Sequence, residues 1–113
     1  MSEKETGIFL EHILENIKKI EKFSIGMAKE DLEKNELKQY AIVRAIEIIG
    51  EAARNLPLKF RERHSEIPWK NIIGTRDIMI HRYFGIDTDI VWNIIKEDLP
   101  KFKRQIEEIA NNQ

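Results

Sequence analysis

Apolar residues recur every three or four positions along most of this 113-residue chain, the spacing of one face of an α-helix, and strand-like alternation is absent. Phe9, Ile13, Ile17 and Ile20 set the first stripe, widened by Leu10 and Leu14, and predict an amphipathic helix over residues 4–23. The run Phe23-Ser24-Ile25-Gly26 breaks it, and a short helix over 28–33 follows, with Asn35 as its stop or cap. From 36 to 56 an arc of Ala41, Ile42, Ala45, Ile46, Ile49, Ala52, Ala53 and Leu56 predicts a long second helix closed by Pro57. Residues 57–67 read as irregular or as a single helical turn. Pro68 suits a first helical position, and Trp69, Ile72, Ile73, Arg76 and Ile80 continue at helical spacing until Gly85, the stop signal. Asp87 or Thr88 then caps a helix through Val91, Trp92, Ile94 and Ile95, and Pro100 opens a last one carrying Phe102, Ile106 and Ile109. The short connections predict an all-α, up-and-down antiparallel bundle, four main helices plus short extra ones, forming a single domain over residues 1–113.

Composition narrows the chemistry. With no cysteine, thiol nucleophiles, disulfides and Cys-ligated zinc are excluded. The apolar runs are too short for a membrane span and the N-terminus is mixed and acidic rather than signal-like, so the expected location is the cytoplasm, with no membrane partner. Charged residues make up 35% of the chain and nearly cancel, to a net charge of −1. Their distribution is uneven. From Arg54 to Arg82 seven basic residues face three acidic ones, a local charge of +4 against −5 for the remainder. A basic middle in an acidic chain points to a polyanion touching that segment, or to solvated helix faces.

The segment from Arg76 to Tyr83 concentrates reactive groups. On an unbroken helix Asp77 and His81 share a face, where the carboxylate would fix the imidazole tautomer and favour its charged form. The nearby helix C-terminus would push the same way. Arg76 and Tyr83 share a second face, and Arg76 and His81 would stand about 140° apart around the axis. That angle keeps both from addressing one atom within a straight helix, whereas pairing two copies of the helix would bring Arg76 of one beside His81 of the other. A proton-transfer histidine, a fixed guanidinium and an orienting carboxylate match the needs of phosphodiester cleavage by an internal 2′-hydroxyl, which requires no metal. The residues alone favour a surface ion-pair cluster.

The string RDIMIHRYFGID resembles the Arg-x4-His-x-Tyr signature of the HepT-like toxins, a branch of the HEPN ribonuclease superfamily. RAIEIIGEAARNLP upstream, the lead-in IPWKNIIGTRD and the tail VWNIIKEDLP resemble the same family, so the likeness runs from Ile8 to Ile109. The resemblance implies a HEPN-like homodimer that pairs two motifs in a cleft and cleaves RNA without metal or cofactor. It assigns catalysis to Arg76 and His81, with Asp77 as polar neighbour. The implied partner is a minimal nucleotidyltransferase antitoxin that attaches adenylate to Tyr83, placing bulk and negative charge beside Arg76. The competing expectation is a non-catalytic helical binding subunit of a nucleotidyltransferase.

Other residues carry paired readings. Arg44, Glu47, Glu51 and Arg54 form a charged stripe on the long helix, lining a cleft or pairing along a wet face. Arg82, Arg54, Glu51 and Arg63 are candidates for RNA contact or the cleft, and Lys59, Arg61 and His64 join Arg63 either at phosphates or as loop charge. Trp69 and Trp92 read as core or interface anchors rather than base-stacking platforms. His12 reads as a surface residue without a metal partner. Gly74 either permits close helix contact or marks a weak boundary.

Overall fold

The computed structural model describes residues 2–81 and 85–112, with residues 80 and 81 described in backbone alone. Helix α1 spans Glu3–Ser24, with the Ser2 hydroxyl accepting the Glu5 N–H at 3.2 Å. Helix α2 spans Lys29–Lys34 and α3 spans Glu36–Asn55. Asn35 caps the start of α3, its Oδ1 accepting from the Lys38 N–H at 3.0 Å. From one turn further along, the Gln39 side chain donates back to the Leu32 carbonyl at 2.8 Å, so the α2–α3 corner is closed by side chains of its own.

Leu10, Ile13, Ile17 and Ile20 are buried on α1, as are Ile42, Ala45, Ile46, Ile49, Ala52 and Ala53 on α3, and these two helices share the largest interface of the fold. Each buried isoleucine or leucine contributes about 1.5–3 kcal/mol relative to exposure. The stripes read from spacing are thus the packed faces, with Phe9 and Leu14 at the margin. Helix α4, Leu58–Arg63, fills part of the stretch expected to be irregular or a single helical turn. Its Arg61 Nε donates to the Leu56 carbonyl at 3.2 Å and so satisfies the end of α3.

The first departure from expectation comes after Pro68. In place of one helix to Gly85 there are two short ones, α5 at Trp69–Ile73 and α6 at Thr75–Met79. Gly74 is a boundary, and the buried Thr75 hydroxyl lies 2.8 and 2.7 Å from the Asn71 and Ile72 carbonyls, offering them a side-chain donor. Beyond Met79 the chain is extended. Strand β1, Ile80–His81, pairs antiparallel with β2, Gly85–Ile86, in the register Ile80 with Ile86 and His81 with Gly85. Gly85, with φ +79°, begins β2 rather than ending a helix. The Asp87 N–H returns to the Met79 carbonyl at 2.7 Å and ties the pair to α6.

The second departure lies at Pro100. Helix α7, Thr88–Asn93, capped by Asp87 Oδ1 on the Ile90 N–H at 3.1 Å, does not stop before the proline. A π-helical turn, Ile94–Asp98, leads directly into α8, Leu99–Asn111. The Leu99 N–H bonds to the Ile94 carbonyl five residues back. A proline ring collides with the carbonyl four residues earlier in an ordinary helix, and the widened turn is a known way of accommodating such a lesion.

Helix α8 lies antiparallel to α1, with Lys103 Nζ 3.0 Å from Glu21 Oε1 and the N-terminal residues of α1 lining a groove with Glu108 and Ile109. Trp69 is a core anchor: its indole N–H donates to the His64 carbonyl at 3.0 Å, and its ring meets Phe102 edge-on at 5.9 Å. Trp92 is partly buried beneath Lys96, whose ammonium sits 4.8 Å from the ring centroid. His12 is exposed beside Phe9. Among the described residues, the fold is mostly helical and no helix is long and apolar enough to cross a membrane.

Candidate functional site

Where α3 passes behind α5 and α6, Gly50 sits at the crossing. A Cβ there would lie 3.2 Å from the Ile72 carbonyl oxygen, so the two backbones approach to a distance that a side chain would obstruct. This close approach sets the width of a groove of about 330 Å³ lined by Glu47, Glu51 and Arg54 from α3 and by Arg76 and Asp77 from α6.

Across that groove Arg76 Nε lies 2.9 Å from Glu47 Oε2. Exposure of the two side chains is unequal, 20% for Glu47 and 68% for Arg76, so the carboxylate is shielded while most of the guanidinium faces solvent. Arg44 Nη1 is 3.6 Å from Glu51 Oε1, both well exposed, a weak contact along α3. Of the charged stripe, Glu47, Glu51 and Arg54 line this groove with Arg76, and Arg44 pairs with Glu51 along the helix. The groove is lined by two arginines against three carboxylates.

The end of α6 at Met79 revises the expected geometry of the motif. His81 lies in β1, so Asp77 and His81 are not one turn apart on a helical face, His81 does not occupy the last turn of a helix, and the 140° separation of Arg76 and His81 has no basis. The break has a local origin: Met79 is fully buried, and its carbonyl is taken by the Asp87 N–H rather than by a following helical turn. The side chain of His81 lies outside the described residues, as do Arg82 and Tyr83. Arg76 and Asp77 remain neighbours on α6, with the Asp77 N–H bonded to the Gly74 carbonyl at 3.1 Å.

Arg63 does not join this groove. It lies on α4, 5.8 Å over the Phe60 ring, and lines a separate groove with Lys59 and His64 against the ends of α1 and α8. The sequence neighbourhood that suggested a common basic patch is divided by the fold, with Lys59 and Arg63 lining one groove and Arg54 and Arg76 another. Two residues of the site carried only weak sequence signals. Gly50 appeared as a glycine inside a long amphipathic helix, where it costs about 1 kcal/mol relative to alanine. Glu47 stood in the charged stripe, but no spacing rule links it to an arginine on another helix.

A helical bundle whose exposed arginine is anchored by a helix-borne glutamate, with an aspartate beside it and a histidine five residues onward, is of the class that presents a polar motif on a broken helix segment. The chain belongs to the HepT-like family: the family model described as "Ribonuclease HepT-like" matches residues 13–109. It is similar to "Probable ribonuclease HepT" of Thermococcus cleftensis, 43% identical over 101 residues that cover 89% of this chain and 92% of that protein. It is also similar to "Putative RNase MJ1380" of Methanocaldococcus jannaschii, 42% identical over 107 residues, covering 95% of this chain and 98% of that one. A longer protein of the same organism, "Gamma-glutamylcyclotransferase and putative RNase MJ0434", is 45% identical over 103 residues, and the chain spans 46% of its length. No solved structure matches the chain.

Proposed function

We propose that this protein is a metal-independent endoribonuclease that acts as a homodimer, the toxin of a pair whose antitoxin is a minimal nucleotidyltransferase. The observation that carries the reading is the anchored, solvent-facing Arg76 in a chain of the HepT-like family. Arg76 holds a backbone phosphate and stabilises the charge that builds on its non-bridging oxygens. His81 moves the protons: the 2′-hydroxyl loses one as its oxygen attacks phosphorus, and the departing 5′-oxygen gains one as its bond to phosphorus breaks. The products are a 2′,3′-cyclic phosphate and a 5′-hydroxyl. Asp77 is the polar neighbour of Arg76.

Since the two groups no longer need a helical angle to explain their separation, the dimer rests on other support. Leu37 and Tyr40 are 80% and 61% exposed on the strip of α3 that continues into Arg44, Glu47 and Glu51. Large apolar side chains left open beside the groove suit a second copy, which would bring further cationic side chains to a groove that has an excess of carboxylates by itself. Adenylylation of Tyr83 by the partner would add a phosphate that competes with RNA for Arg76.

The test is cleavage of RNA by the purified chain with and without chelator, comparing wild type with Arg76→Ala and His81→Ala. Expected losses are about 100- to 1,000-fold for Arg76→Ala and about 100- to 10,000-fold for His81→Ala, with the dimer intact by light scattering and no effect of chelator. Unchanged cleavage in both variants refutes the proposal. Intact mass after coexpression with the partner should show one adenylate on Tyr83, and a stable unmodified complex without any cleavage supports the binding-subunit reading instead.

A further inference from the structure

The contact between Glu47 and Arg76 joins two elements of very different rigidity. Helix α3 is a 20-residue rod packed on α1 through buried Ile42, Ala45, Ile46 and Ile49. Helix α6 has five residues, is preceded by the Gly74 break and is followed by extended chain, so its own hydrogen bonds leave it a poor platform. An arginine side chain carries about 2 kcal/mol of rotamer entropy when unrestrained. On α6 alone, with 68% of its side chain exposed, Arg76 would spread over many rotamers.

Glu47 removes that freedom from one end. Its carboxylate meets the guanidinium at Nε, the N–H nearest the backbone, and is itself shielded. A guanidinium presents five donors in a rigid plane, so an ion pair formed at its Nε side leaves the terminal nitrogens to a second acceptor and restricts the directions in which they point. Gly50, one turn along α3, keeps the α5 backbone close enough for the reach to be short. From this geometry we infer that Glu47 is a positioning residue: it aims Arg76 at the scissile phosphate and does so from α3, the one rigid element on that side of the groove. The inference rests on the ribonuclease reading.

A negative charge beside a phosphate site weakens anion binding, whereas fixing the guanidinium favours the reacting geometry. The two effects act on different constants. Glu47→Ala should lower kcat about 100-fold, the scale of a misplaced reacting group, while KM for RNA stays level or falls. Glu47→Gln keeps an acceptor for the Nε–H and should restore part of kcat. A merely structural role would instead alter stability and both constants together.

The experiment pairs kinetics on a single-stranded oligoribonucleotide with NMR of the arginine Nε–Hε signals, the Arg76 signal being identified by its loss in Arg76→Lys. Expected are a slowly exchanging Arg76 Hε in wild type, fast exchange in Glu47→Ala and an intermediate rate in Glu47→Gln, alongside the fall in kcat. An Arg76 Hε that exchanges equally in all three, or a kcat that is unchanged or raised in Glu47→Ala, overturns the inference. A wild-type chain with a protected Hε but no cleavage refutes the ribonuclease reading itself and reduces the contact to a surface ion pair, overturning the positioning role with it.

Discussion

Replacing Gly50 with alanine sets two opposed effects against each other. Alanine in place of glycine inside a helix gains about 1 kcal/mol of propensity. The new methyl, however, would stand 3.2 Å from the Ile72 carbonyl oxygen and 3.5 Å from that of Ile73, both backbone atoms that move only if α5 shifts. Overpacking of this kind costs about 1–3 kcal/mol. Gly7 supplies the control, since it also lies within a helix, α1, but a Cβ there meets nothing within 4 Å. Gly7→Ala should therefore stabilise by about 1 kcal/mol, and Gly50→Ala should be neutral or destabilising by up to about 2 kcal/mol. Comparing the two variants cancels the propensity gain and isolates the clash. At about 4 °C per kcal/mol for a chain of this size, the melting temperatures should differ by about 4–12 °C, read by circular dichroism or calorimetry. If Gly50→Ala raises the melting temperature as much as Gly7→Ala does, the close crossing of α3 and α5 is not a constraint and the groove does not owe its width to it.

Two further outcomes follow from local chemistry. Burial raises the Asp98 carboxyl above its ordinary value of 3.8, with Glu97 adding to the effect, so the folded chain keeps that proton to higher pH than the unfolded one. Ionised Asp98 thus detracts from stability at neutral pH, and the loss disappears as pH falls through the raised folded value and below 3.8. Asp98→Asn should melt above wild type near neutrality, with the gap closing in acid; a gap that is constant with pH would contradict the burial argument. Asn35→Ala should remove the cap on the Lys38 N–H and destabilise by about 1 kcal/mol in urea titration, and no change would show that water replaces the cap without loss.

Periodicity located α1, α2 and α3 to within a residue or two, because in these helices the packed face is long and repeats without interruption. It also passed straight through the break between α5 and α6. At Gly74 and Thr75 the spacing of Ile72, Ile73, Arg76 and Ile80 stays helical although the backbone does not, since a hydroxyl bonding to local carbonyls leaves no trace in hydrophobic pattern. At Pro100 the proline does stand at the start of α8, as expected, but the π-turn before it joins α7 and α8 into one continuous rod, a link that no proline rule foretells. For the site, Arg76 and Asp77 stood out as residue types at a telling spacing. Glu47 could be recognised as the partner of Arg76 once the crossing of α3 and α6 was known, a contact between residues far apart in the chain that one sequence does not encode visibly.

The π-turn at Ile94–Asp98 has a mechanical consequence. It divides a single rod into two lengths with different allegiances, α7 resting on α2 and α6 and α8 resting on α1. Pro100 cannot donate a backbone hydrogen bond, so the seam is held by fewer ladder bonds than the helix on either side. Local opening of the rod should therefore begin at this seam, and amide exchange along it should be fastest there.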